Sequence, residues 1–136
     1  MAEINEIVAG VTRWAATRED ITGLLLVGSC ARGAARPDSD VDLTLLTTEP
    51  GLYDGEDWAR DLGMATPIRT QRWGVILERR FATPSGLEVE FGIGSPSWAD
   101  TDPIDPGTRR VVTDGARSLH DPVGMLATLI AACRPS

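Results

Sequence analysis

Residues 3–18 place Ile4, Ile7, Val8, Val11, Trp14 and Ala15 three and four positions apart. That spacing predicts an amphipathic helix with one apolar stripe turned to a core. Ile21 to Val27 is a continuous apolar run broken by one glycine, the pattern of a buried strand, and Gly28-Ser29 ends it. Ser29 falls where a helix N-cap belongs, ahead of a short helix through Ala34 or Ala35 that Pro37 closes. From Val41 to Thr47 the apolar Val41, Leu43 and Leu45 alternate with Asp42 and Thr44, continuing the polar phase of Asp40. This is the period of two of a strand with one face on a core and the other on a site.

The turn-rich EPGLYDG leads into a helix from about residue 56 to 62, stopped by Gly63. Residues 73–81 and 87–93 read as two more strands joined by the turn TPSG, a hairpin. Arg79 and Arg80 fall on its first strand and read as an exposed pair. Prolines and aspartates make SPSWADTDPIDPG a loop. A short helix near 108–112, a brief strand near 117–120 and a terminal helix from about 122 to 132 complete the chain. This order predicts an α+β layer: a mixed sheet with helices packed mainly on one face, in a single domain over residues 1–136.

Composition narrows the function. At 136 residues the chain has the size of one domain able to bury its own core, and 42% hydrophobic with 24% charged residues is the balance of a soluble globular protein. No apolar run reaches the roughly 20 residues of a membrane span and the N-terminus lacks a signal core, so a cytoplasmic location is expected. A net charge of -7 argues against nucleic acid as a partner. All 13 cationic residues are arginine. The absence of lysine excludes a Walker phosphate loop and Schiff-base chemistry. Cys30 and Cys133 have neither disulfide-framework nor zinc spacing and read as buried thiols, and the lone His120 reads as structural.

Candidate chemistry concentrates in VGSCARGAARPDSDVDLTLL and in GLEVEFGI. Asp40 and Asp42 are two apart and share a strand face, and so do Glu88 and Glu90. Like charges side by side are costly unless a cation lies between them. Glycine permits close backbone approach to a polyphosphate and Ser29 offers a hydroxyl, while strand carboxylates suit magnesium, a hard cation that keeps sites open for phosphates. The pattern is that of phosphoryl or nucleotidyl transfer.

In these residues the chain resembles the DNA polymerase beta type nucleotidyltransferase superfamily, and more closely its minimal and aminoglycoside-modifying members. VGSCARG, PDSDVDLTLL and VEFGI follow in the family's order: strand, Gly-Ser, Asp-x-Asp, then a later strand carboxylate. The resemblance implies that Gly28 and Ser29 hold the triphosphate and that Asp40 and Asp42 ligate Mg2+; Arg32, Arg36 and Ser39 are further candidates for the phosphates, with an ion pair to Asp38 the alternative for the arginines. It implies a third carboxylate that helps activate the acceptor. Glu90 is favoured because FGI follows it directly, with Glu88 the rival and an additional candidate ligand.

The implied activity is magnesium-dependent transfer of a nucleoside monophosphate from a nucleoside triphosphate, ATP among the candidates, to a hydroxyl on a small molecule or protein. The 46 residues after Glu90 leave no room for the helical domain that antibiotic-modifying members add. An acceptor site at a homodimer interface, or a toxin-like protein partner, is the expectation that follows. The alternative is a nucleotide-binding or antitoxin-like interaction module with little turnover. Trp98 either stacks on a ring of the substrate or pins its loop to the core.

Overall fold

The structure, a computed structural model, describes residues 2–36 and 38–134. Six strands form one mixed sheet: β1 (Ile21–Val27), β2 (Val41–Thr47), β3 (Thr66–Trp73), β4 (Ile76–Ala82), β5 (Glu88–Gly94) and β6 (Ala116–His120). Their order across the sheet is β3-β4-β5-β2-β1-β6. β2 and β5 run parallel and every other neighbouring pair is antiparallel. The helices are α1 (Ala2–Ala16), α2 (Gly28–Ala31), α3 (Asp57–Asp61), α4 (Pro106–Asp114) and α5 (Met125–Cys133). Among the described residues no helix is long and apolar enough to cross a membrane.

Alternation along the strands separates two faces. Leu24, Leu26, Leu43, Leu45, Val89 and Phe91 point to one side and are buried beneath Ile4, Val11 and Ala15 of α1 and Trp58 of α3. Trp58 meets Phe91, Phe81 and Tyr53 edge-on at centroid distances of 5.0, 5.6 and 5.4 Å. Each such contact contributes about 0.5–1.5 kcal/mol beyond burial. On the opposite face α4 and α5 form a smaller second layer, where Val112, Leu126 and Leu129 cover Leu25 and Leu46. Carboxylates hold the first turns of α4 and α5: Asp105 accepts from the Gly107 and Thr108 N–H groups beside Pro106, and Asp121 accepts from the Leu126 and Ala127 N–H groups.

Most expected elements appear within a few residues of their anticipated bounds. Three details differ. Ser29 is not an N-cap: the cap position is Val27, two residues earlier, and α2 runs from Gly28 to Ala31, short of Ala34. The anticipated stop at Pro37 lies outside the described residues. The sequence also gave no sign of β3, an edge strand in which every residue is exposed, so no alternation of burial is imprinted on it. Its Pro67 sits at an irregularity in the pairing with β4, as an edge strand tolerates.

Candidate active site

The site forms where β1 ends beside β2. Gly28 has φ 73°, and a Cβ built on it would lie 2.7 Å from Asp42 Oδ2. Both the left-handed backbone and the approach of that carboxylate therefore require glycine. Asp42 stands opposite Val27 on one side and Glu90 on the other. The parallel register of β2 and β5 thus places the second aspartate of Asp-x-Asp beside Glu90, and their carboxylates are in hydrogen-bond contact. Glu88 lies two residues back along β5.

Arg80 completes the arrangement from β4, paired with Glu90. Its Nη1 donates to Asp40 Oδ2 at 2.9 Å and to Glu88 Oε1 at 3.1 Å, and its Nη2 donates to Glu90 Oε2 at 3.0 Å. The expected exposed arginine pair is therefore absent. Only 14% of the Arg80 side chain is exposed. Arg79, 3% exposed, points through the other face and donates from Nη1 to the carbonyls of Tyr53, Asp54 and Gly55. Strand alternation separates the two guanidinium groups, one to the core side and one to the site.

Glu78, missed in the sequence, is buried on the same face two residues before Arg80. Its carboxylate accepts from Arg69 Nη2 at 2.7 Å and from Trp73 Nε1 at 2.9 Å, and it also contacts Glu90. Burial, followed by contact with Glu78 and Asp42, pushes Glu90 up to about 8. Burial likewise raises Asp42, against the pull of its hydrogen bond with Glu90 and of Arg80. Glu78 goes the other way, down to about 2, because Glu90 donates to it and Arg69 and Trp73 add further hydrogen bonds. Of this crowded trio, Glu90 is the carboxyl on which burial and the neighbouring acids most disfavour negative charge.

Two recesses meet at Gly28, Asp42 and Asp114. The polar one, about 530 Å³, is lined by Ser29, Arg32, Arg36, Ser39 and Asp40. Here Arg32 Nη1 donates to Asp114 Oδ2 at 2.9 Å, and Ser39 Oγ accepts from the Arg36 N–H at 2.7 Å. The second, about 300 Å³, has walls from Val27, Ile76, Trp98 and Val111, with Asp42 and Glu90 at its mouth. Cys30 is buried beneath the polar recess, donates from Sγ to the Asp40 carbonyl at 3.4 Å, and has its thiol pushed up by burial and by Asp42.

The four expected metal ligands do not converge as a set. Among the described residues no three His, Cys, Asp or Glu side chains are disposed to hold a metal ion as they stand. Asp42 and Glu90 meet, while Asp40 and Glu88 turn to Arg80. The donor chemistry nevertheless fits a hard divalent cation. Every donor is a carboxylate oxygen, and the upward shifts of Asp42 and Glu90 mark a place where added positive charge is favoured.

Signals for the missed residues were present in the sequence. A five-residue loop over 83–87, one longer than TPSG, sets residue 82 opposite 88 and hence Arg80 opposite Glu90, and the period of two puts Glu78 on the same face.

Comparison with known proteins bears on the same residues. Residues 12–78 match the family model described as the nucleotidyltransferase domain. That segment contains Gly28, Ser29, Arg32, Ser39, Asp40 and Asp42 and stops before β5. No curated protein sequence matches the chain. Among solved structures, an aminoglycoside 6-adenyltransferase from Bacillus subtilis matches with a TM-score of 0.50 at 14% identity. The match covers 74% of this chain and 36% of that one. At this identity the likeness speaks for the fold, and this chain spans little more than a third of the other's length. The match over residues 12–78, just under half of the chain, supports a nucleotidyltransferase domain, and the solved structure supports its mixed-sheet fold.

Proposed function

We propose that this domain catalyses magnesium-dependent transfer of a nucleoside monophosphate from a nucleoside triphosphate to a hydroxyl acceptor on a small molecule or a protein. The observation that carries this reading is the contact of Asp42 with Glu90 across two parallel strands, directly beside a glycine that a side chain would block. Asp42 and Glu90 would hold magnesium, joined by Asp40 when it turns from Arg80. Bound there, the ion supplies charge neutralisation at the reacting phosphate and its departing pyrophosphate.

The chain's own residues do the rest by position. Ser29, Arg32, Arg36 and Ser39 give the polar recess hydroxyl donors and positive charge suited to the β- and γ-phosphates. The apolar recess suits a ring of the nucleoside or acceptor, with Trp98 in its wall. Glu90, which lines that recess, is placed in its ionised form to accept the acceptor's hydroxyl proton as oxygen attacks the α-phosphorus and the bond to pyrophosphate breaks.

Calorimetric titration with a nonhydrolysable nucleoside triphosphate and Mg2+ tests the site. Wild type is expected to bind, and Asp42→Ala to lose affinity by about tenfold or more. Equal titrations of the two proteins would remove the site from consideration. The second reading, a nucleotide-binding or antitoxin-like module with little turnover, is favoured by one observation: Arg80 already engages three of the four candidate ligands. Release of pyrophosphate with incorporation of nucleotide into an acceptor separates the two, since a module binds triphosphate and releases none.

A further inference from the structure

Arg80 is at the centre of the carboxylate face, and the chemistry above assigns it no task. Asp40, Glu88 and Glu90 all accept from its two terminal nitrogens. Its Nε is buried and has no hydrogen-bond partner. An unmade hydrogen bond on a buried nitrogen is a cost the fold bears, and the contacts at the far end of the side chain offset it. Arginine's planar fork reaches carboxylates in two directions at once, as an ammonium does not.

The charges on this face come from β2 and the residue before its start, β4 and β5, with Arg69 added from the edge strand β3. Asp40, Asp42, Glu78, Glu88 and Glu90 are its five carboxyl groups, and Arg69 is committed to Glu78 at the far edge. Without Arg80, Asp40, Glu88 and Glu90 would lose their shared ion-pair partner. Such a face attracts any free divalent ion. With Arg80 in place the face is less negative, which weakens its pull on a bare cation and its repulsion of a metal–triphosphate complex, whose net charge is negative.

We propose that Arg80 is a positioning residue that serves as the site's resident counter-cation. It holds Asp40 and Glu90 in place and denies them to free divalent ions, so that metal enters together with the triphosphate. This inference rests on the reading that Asp42 and Glu90 take a divalent ion, and it concerns selection between two forms of that ion.

The test is equilibrium dialysis of the full chain against Mn2+, with and without inorganic tripolyphosphate, counting the Mn2+ held by the protein over a protein-free control. Wild type is expected to retain Mn2+ about tenfold more tightly when tripolyphosphate is present. Arg80→Met is expected to bind free Mn2+ about tenfold more tightly than wild type and to gain melting temperature from it. Arg80→Lys, which keeps the charge, is expected to stay near wild type for the free ion. A purely structural role for Arg80 would lower stability in Arg80→Met without changing free-ion affinity, and that result overturns the proposal.

Should Arg80→Met not fold in metal-free buffer, millimolar Mn2+ is expected to restore its fold, and failure of that rescue also overturns the proposal. If wild type binds Mn2+ in neither condition, the metal-site reading itself falls. If it binds and Arg80→Met matches it, only the role of Arg80 falls.

Discussion

The two faces of β5 are built from alternate residues of one seven-residue strand, and they obey opposite rules. Val89, Phe91 and Ile93 are buried against apolar neighbours, where each contact lowers the free energy. Glu88 and Glu90, one residue out of phase, face Asp42, Glu78 and Arg80, where burial raises the cost of every charge. Stability is therefore built on the α1 and α3 side, and potential for chemistry is held on the other. The lesson is that the core face tolerates no loss of volume, whereas the site face is balanced by charge and can be relieved by removing an acid.

Four substitutions test that division, beginning with the largest effect. Asp42→Ala is expected to reduce nucleotidyl transfer by about a thousandfold or more. Its melting temperature should equal or exceed that of wild type, because a half-buried carboxylate is removed from a crowded face. A large drop in melting temperature would show that the two faces are not separable. Phe91→Ala should do the reverse, costing about 3–5 kcal/mol in urea unfolding through the cavity left among Trp58, Phe81 and its neighbours.

Gly28→Ala touches both sides of the division. A side chain at φ 73° is strained, costing about 1–2 kcal/mol. Its Cβ would displace the Asp42 carboxylate, so binding of magnesium triphosphate should fall more than stability does. Calorimetry and chemical denaturation on one preparation compare the two losses.

The smallest effect belongs to the core side. Tyr53 is fully buried and donates its hydroxyl to Asp20, and burial first, then that bond, pushes its phenol up to about 12. Because the folded state holds the phenolic proton more tightly than the unfolded chain, the stabilisation is complete below about pH 10 and is lost as pH rises through about 12. Melting temperatures between pH 9 and 12 should decline less steeply in Tyr53→Phe than in wild type. Parallel curves would mean that this phenol does not contribute to the alkaline loss.

Legibility in the sequence follows burial. The strands Ile21–Val27 and Val41–Thr47 were readable to the residue because one face of each is buried along its length, so apolar spacing records the structure. α1 was readable for the same reason, since Ile4, Val11 and Ala15 recur on one stripe. β3 left no record, because none of its residues is withdrawn from water and its place is fixed by pairing with β4 alone. Ser29 was misassigned as a cap because capping residues also occur inside a first turn, and only backbone angles distinguish the two.

What the chain determines by itself is local: which residues alternate, where Gly-Ser breaks a strand, and that Asp40, Asp42, Glu88 and Glu90 each lie on the polar phase of their segment. Such properties depend on neighbours a few positions away, and covalent geometry fixes those. The tertiary structure alone decides that Glu90 faces Asp42 and that Arg80 reaches Asp40. Those meetings depend on the register of strands some 40 and 50 residues apart in the chain, which is set by packing of the opposite, apolar face.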